Sequence, residues 1–155
     1  MDMLQIIEFE PRYRDFFRLL NEEWLIKYFY IEPIDKTILG DPETYILSKG
    51  GYIFFARYHD EIVGTCALIN QGEFGYELSK MAVTEKYQGL KIGQKLAEAV
   101  IEKAKNIKQA KIFLETNSKL SPAISLYEKL GFKHQKPRFD QSKYERADVY
   151  MELEF

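Results

Sequence analysis

The stretch Gln88-Gly89-Leu90-Lys91-Ile92-Gly93 carries residue types at a spacing that points to phosphate chemistry. Residues 76–83 read as a strand, 84–89 as a tight turn and 90–105 as a long helix. A strand that enters a helix through small residues leaves several backbone N–H groups at the helix start without partners. Those donors coincide with the positive end of the helix dipole, and the pair of effects binds phosphate. Lys91 and Lys95 stand one turn apart in the first turns. Positive charge there opposes the dipole at roughly 0.3–1 kcal/mol each, a sign that a bound anion would reverse. Gly93, inside the helix, costs about 1 kcal/mol against alanine and leaves room for a backbone or a ligand to come close. The alternative is a plain strand-turn-helix with its lysines in water.

The elements that must hold this turn fit one domain, residues 1–155. The chain is long enough for a substantial core, and its 46% hydrophobic and 15% aromatic content excludes a disordered chain. A formal charge of -2 gives no whole-protein attraction to nucleic acid or to an anionic membrane. The single cysteine, Cys66, has no intrachain partner for a disulfide, which suits a reducing compartment. No apolar run approaches the roughly 20 residues that span a bilayer, and the N-terminus lacks the basic-then-apolar pattern of a signal peptide. The expectation is a soluble cytoplasmic protein. With two histidines apart in sequence and one cysteine, no metal cluster is expected.

Taken in order, residues 3–9 read as a first strand ending before Pro11. Tyr13, Phe16, Phe17, Leu20, Trp24 and Tyr28 recur every three or four residues, the stripe of an amphipathic helix over 12–27. At that spacing Trp24 is read as core, with a substrate-pocket wall as the alternative. Residues 32–36 read as a loop, because proline disfavours helix before it. Asp41 and Pro42 read as the N-cap and first residue of a short helix that ends before Gly50. The acids Glu32, Asp35, Asp41 and Glu43 are expected in a solvated charged loop, or at a rim that attracts a cationic amine. Strands are expected at 52–58 and 62–70, with His59 at the hairpin tip. Beyond the central helix, residues 111–116 form a strand parallel to 76–83. Ligands of open α/β sheets gather at the carboxyl ends of such strands, near Glu115 and Asn117. Ser121 reads as the N-cap of a short helix carrying Tyr127 and ending at Gly131. Strands follow at 132–136 and 147–155, with a polar, mobile flap at 137–146 between them.

Residues 81–93, Met-Ala-Val-Thr-Glu-Lys-Tyr-Gln-Gly-Leu-Lys-Ile-Gly, resemble the acetyl-CoA motif of the GNAT superfamily of N-acetyltransferases. Residues 123–132, Ala-Ile-Ser-Leu-Tyr-Glu-Lys-Leu-Gly-Phe, are similar to that family's second signature, at the expected distance downstream. The resemblance implies one α/β (α+β) domain: a central mixed sheet of about seven strands, helices on both faces, and splayed central parallel strands. It also implies transfer of an acetyl group from acetyl-CoA to an amine of a small molecule or peptide, without a covalent enzyme intermediate and without a metal. Lys91 departs from the pattern, standing where the inner glycine of the turn usually is. It is therefore expected to take helical backbone angles, since positive φ is costly for a non-glycine residue.

By this resemblance, amides from Gln88 through Gly89, Leu90, Lys91, Ile92 and Gly93 cradle the pyrophosphate. Backbone groups of Met81, Ala82 and Val83 pair with the pantetheine arm, and one N–H faces the thioester oxygen. Asn117 bonds the cofactor's amides, or simply shapes a turn. Tyr127 is the implied general acid; a packed aromatic is its alternative. The base is Glu115 or Glu77, unless either is a structural, salt-bridged acid. A tyrosine of pKa about 10 stays protonated at neutral pH, and an ammonium near 10.4 must lose a proton before it attacks. The competing readings are a non-catalytic acyl-CoA sensor and an interaction domain built on the aromatic N-terminal helix. A homodimer through the C-terminal strands is also compatible.

Overall fold

The computed structural model describes residues 3–155. Seven strands form one sheet: β1 (Leu4–Glu8), β2 (Tyr52–Tyr58), β3 (Glu61–Asn70), β4 (Tyr76–Val83), β5 (Lys111–Thr116), β6 (Lys133–His134) and β7 (Val149–Glu154). Their spatial order is β1-β2-β3-β4-β5-β7-β6. Every pairing is antiparallel except β4 with β5. Five helices accompany them: α1 (Arg14–Tyr28), α2 (Pro33–Gly40), α3 (Pro42–Tyr45), α4 (Ile92–Asn106) and α5 (Ser121–Lys129).

Two details of β4 shape the molecule. Its parallel pairing to β5 is confined to Tyr76–Ile112 and Glu77–Phe113, so the strands part beyond Glu77 and a cleft opens between them. Against β3, the register runs Ser79–Ala67 and then Ala82–Thr65. Lys80 and Met81 together therefore oppose the single residue Cys66, a β-bulge, and Lys80 adopts φ +58° to make it.

Each face of the sheet has its own core. On one, Ile92, Leu96, Ala97, Val100 and Ala104 of α4 pack on Cys66, Leu68, Leu78, Ile112 and Leu114. Gly64 of β3 lets α4 lie close, since a Cβ there would meet Leu96 Cδ1 at 3.0 Å. On the other face, Phe17, Leu20 and Leu25 of α1 and Leu39 of α2 cover Ile53, Phe55, Ala67, Ile69 and Ala82. The segment 135–148 continues this second layer over β4, β5 and β7: Phe139 packs edge-on to Phe74 (5.6 Å), Phe113 (6.1 Å) and Tyr150 (5.6 Å).

Several sequence expectations change. The expected loop at 32–36 is the start of α2. Pro33 takes a first-turn position, where its missing N–H costs nothing. Glu32 and Asp35 form a reciprocal capping box, and Asp35 Oδ2 accepts from the Glu32 N–H at 2.9 Å. Nor are these acids solvated: Asp35 is 0% exposed and Glu32 4%. Of the other two, Asp41 caps α3 through the Thr44 N–H (3.2 Å) and Glu43 pairs with Arg14 (2.8 Å). Leu120, not Ser121, is the N-cap of α5. The flap at 137–146 is fastened along its length. Arg138 donates to the Phe74 carbonyl, the Glu145 N–H to Glu32 (2.9 Å), and Arg146 to both Glu32 and Asp35.

Candidate active site

The opening between β4 and β5 is a cavity of about 480 Å³, within the size range of small-ligand sites. One end is built from main chain. Residues 85–87 form a single 3₁₀ turn after Thr84, and Gly89 then takes φ +88°, a left-handed angle that glycine adopts without a Cβ clash. Gln88 Nε2 closes the turn by donating to the Val83 carbonyl at 3.3 Å. The Lys95 N–H makes the first helical bond of α4, to the Lys91 carbonyl (3.2 Å). The amides of Ile92, Gly93 and Gln94 are thus left without helical partners at the wall of the cavity. A Cβ on Gly93 would meet nothing closer than Met81 Sδ at 3.8 Å. Protein packing therefore does not demand glycine there, and the bare face fronts the cavity.

Lys91 corrects the sequence reading. It is the N-cap of α4, at φ +60° and ψ 22°, a left-handed conformation rather than a helical one. The turn must reverse here to enter the helix. A non-glycine residue held in this region costs about 1–2 kcal/mol. Leu90 differs from expectation as well: its side chain is 50% exposed and is not part of the cavity wall.

Met81, Ala82 and Val83 line the same end, and Tyr127 reaches it from α5. The Tyr127 ring is buried and set edge-on to Phe132 at 5.9 Å. Burial, with a smaller contribution from Cys66, pushes its phenol above the ordinary tyrosine range. The proton stays on oxygen at neutral pH. Asn117 is engaged elsewhere. Its Oδ1 accepts from the Lys119 N–H (2.9 Å) and its Nδ2 donates to the Arg146 carbonyl (2.7 Å). It is a turn residue that holds the end of the 135–148 segment, and it keeps a second Nδ2 N–H and a second Oδ1 lone pair at the cavity wall.

The opposite end of the cavity is built from side chains. Glu77 pairs in register with Phe113, and Glu115 lies two residues further along β5 on the same face. Among the described residues neither carboxylate has a salt-bridge partner within 4 Å; Gln71 Nε2 donates to Glu77 Oε1 at 2.8 Å. Burial, reinforced by the charge of Glu115 and opposed by the Gln71 bond, pushes the Glu77 carboxyl up to about 7. Glu115 is also raised by burial, against the influence of Ser142, Lys143 and Arg146. Trp24 both packs on the second core and lines the cavity.

Lys80, Tyr144 and Arg146, which sequence reading missed, join Glu32 and Asp35 in supporting this end. Asp35 accepts from Lys80 Nζ (2.8 Å) and from Arg146 through both terminal nitrogens (2.8 and 2.9 Å). Glu32 accepts from Arg146 at 2.8 Å. Tyr144 lies between the two cations, with Lys80 Nζ and Arg146 Cζ each 4.5 Å from its ring centroid. The bulge aims Lys80 into this cluster. Glu32 and Asp35, three residues apart around Pro33, carried a capping-box spacing that would have revealed α2. No local pattern announces that Arg146 is their partner.

The central parallel strands thus part over a helix N-terminus, with a buried phenol and two carboxylates lining the gap. The chain belongs to the acetyltransferase (GNAT) family, whose model matches residues 9–132. It is 30% identical over 100 residues to the probable N-acetyltransferase camello of Xenopus tropicalis, covering 63% of this chain and 46% of that protein. The chain spans under half the length of the curated frog relatives it matches, 46% and 40%. A solved GNAT-family acetyltransferase of Staphylococcus aureus superposes with a TM-score of 0.85 at 28% identity, covering 97% of this chain and 98% of that one. A GNAT acetyltransferase of Elizabethkingia anophelis with acetyl-CoA bound shares the fold, with a TM-score of 0.66 at 23% identity and 100% coverage of both chains.

Proposed function

We propose that this protein is an N-acetyltransferase that moves the acetyl group of acetyl-CoA onto a primary amine of a small molecule or peptide, by direct attack in a ternary complex. The observation that carries the reading is a buried carboxyl, Glu77, held by Gln71 and without an ion-pair partner among the described residues, in the cleft that a helix N-terminus closes at the other end. The free amides at the start of α4 and the bare face of Gly93 fit a pyrophosphate. The β4 main chain at Met81 to Val83, facing no β5 partner, fits an extended pantetheine arm.

Glu77 takes one proton from the acceptor ammonium, directly or through one water, and Glu115 holds the cation beside it. The amine nitrogen forms a bond to the acetyl carbon as the carbon–sulfur bond breaks. A backbone N–H near Met81 or Ala82 steadies the oxyanion; in other enzymes one such donor is worth roughly 2.7–4 kcal/mol. Tyr127 gives its proton to the departing sulfur. The second proton lost from nitrogen makes good the phenol, so the net products are the amide, the CoA thiol and one proton.

Thiol release with an amine panel tests the reading. Glu77→Gln should lower kcat by about 10²–10⁴, the usual span of a general base, with CoA affinity unchanged. Tyr127→Phe should also lower kcat without changing CoA affinity. Calorimetric CoA binding with no thiol release from any amine would instead identify a non-catalytic acyl-CoA module.

A further inference from the structure

Behind the carboxylates lies a second, smaller cavity of about 70 Å³. Phe74, Phe113 and Phe139 line it, together with Gln71, Gln141 and Lys143. Three residues line both this cavity and the main one: Glu77, Glu115 and Tyr144. The two spaces therefore meet at a ring of two carboxylates and a phenol. Among the described residues the Tyr144 hydroxyl has no hydrogen-bond partner, although the ring itself is fixed between Lys80 and Arg146. These three oxygen-bearing side chains share one wall, and among the described residues neither carboxylate has an ion-pair partner. Beyond them, Phe74, Phe113 and Phe139 supply an apolar wall.

We propose that this side cavity receives the body of the acceptor: the amine sits among Glu77, Glu115 and Tyr144, and an unbranched aliphatic chain extends between the three phenylalanines. The inference rests on the acetyltransferase reading of the same site and narrows its substrate class to slim primary alkylamines. Size sets the length. A cavity of about 150 Å³ holds benzene, so about 70 Å³ holds roughly three methylene groups. Shape sets the branching, since the chain must pass a gap between two carboxylates and a tyrosine whose ring cannot swing aside without leaving both cations. The charge at the ring excludes an acceptor with a carboxylate next to its amine, which would face Glu77 and Glu115.

Calorimetric titration of ethylamine, butylamine, hexylamine and cyclohexylamine into the protein saturated with CoA tests this without needing turnover. Burying a methylene contributes about 0.8 kcal/mol, or about fourfold in affinity. Butylamine should bind about fifteenfold more tightly than ethylamine, hexylamine little better than butylamine, and cyclohexylamine no better than ethylamine. Phe139→Ala, or Phe74→Ala on the opposite wall, should flatten the series while leaving CoA affinity unchanged. Equal affinity along the series, or cyclohexylamine matching butylamine, overturns the proposal, and the native protein alone decides that. If the ladder appears but no amine is acetylated, the side cavity stands and the acetyltransferase reading falls.

Discussion

The two ends of the cleft are made by different means. The end at α4 is main chain: a strand edge, one turn and a helix start, all within residues 81–94. The end at Glu77 is side chain, assembled from α1, α2, the turn after β3, two strands and the 135–148 segment. Recognition by amides asks little of side-chain identity beyond a glycine or two, so one contiguous run encodes it. Recognition by side chains needs partners brought from afar, and here Arg146 and Glu32 are 114 positions apart. The first end suits a ligand shared across a family. The second is free to be rebuilt for each acceptor.

Arg146→Ala should separate the ends most sharply. Removing one partner of a buried ion pair leaves uncompensated charge and costs about 3–5 kcal/mol. For a chain of this size that lowers the melting temperature by on the order of 10 °C. In the folded protein the KM for amine should rise while CoA affinity holds. An equal loss of both ligands would show that the two ends are one mechanical unit.

A smaller effect comes from Glu77. Its carboxyl is raised from an ordinary 4.5 to about 7 in the folded protein. Between those values the folded state binds more protons than the unfolded one, so this group's stabilisation is complete below pH 4.5 and is lost as pH rises through 7. Denaturant melts between pH 5 and 8 should show that slope, and Glu77→Gln should remove it. As the proposed base, Glu77 would act only when ionised, so the rate should rise over the same interval. A slope unchanged in the variant would assign it to another group.

The smallest effect belongs to the main-chain end. Lys91→Gly relieves a left-handed non-glycine residue and should stabilise the fold by about 1 kcal/mol, less the added freedom of the unfolded chain. The KM for amine should not move. A change in it would break the separation of the two ends.

The same contrast explains what was legible in the sequence. The limits of β4 and β5 follow from local alternation, and the crossover through α4 from strand-helix-strand order. The turn at Gln88 to Gly93 was readable because its chemistry is local. The backbone of Lys91 was not, because a steric preference was overruled by the reversal the turn requires. Residues 32–36 misled for a related reason: proline was weighed as a breaker of the helix before it, not as the opener of the one after it. Glu77 and Glu115 could be named as candidates, but their shared face depends on a parallel register of only two residue pairs. Tyr144, Lys80 and Arg146 carried no signal at all, since each matters only through a partner on another element.

The extra residue in β4 reaches further than its own position. Before it, odd-numbered side chains such as Glu77 and Ser79 point toward α1 and α2; after it, Ala82 does, while Met81 and Val83 turn toward α4. One strand thereby changes phase between the half that carries Glu77 and the half that faces the start of α4. Deleting Lys80 would let the strand alternate without a break, with Met81, Ala82 and Val83 on their present faces, yet would remove the cation that pairs with Asp35. In this strand, counting is as much a part of the active site as chemistry.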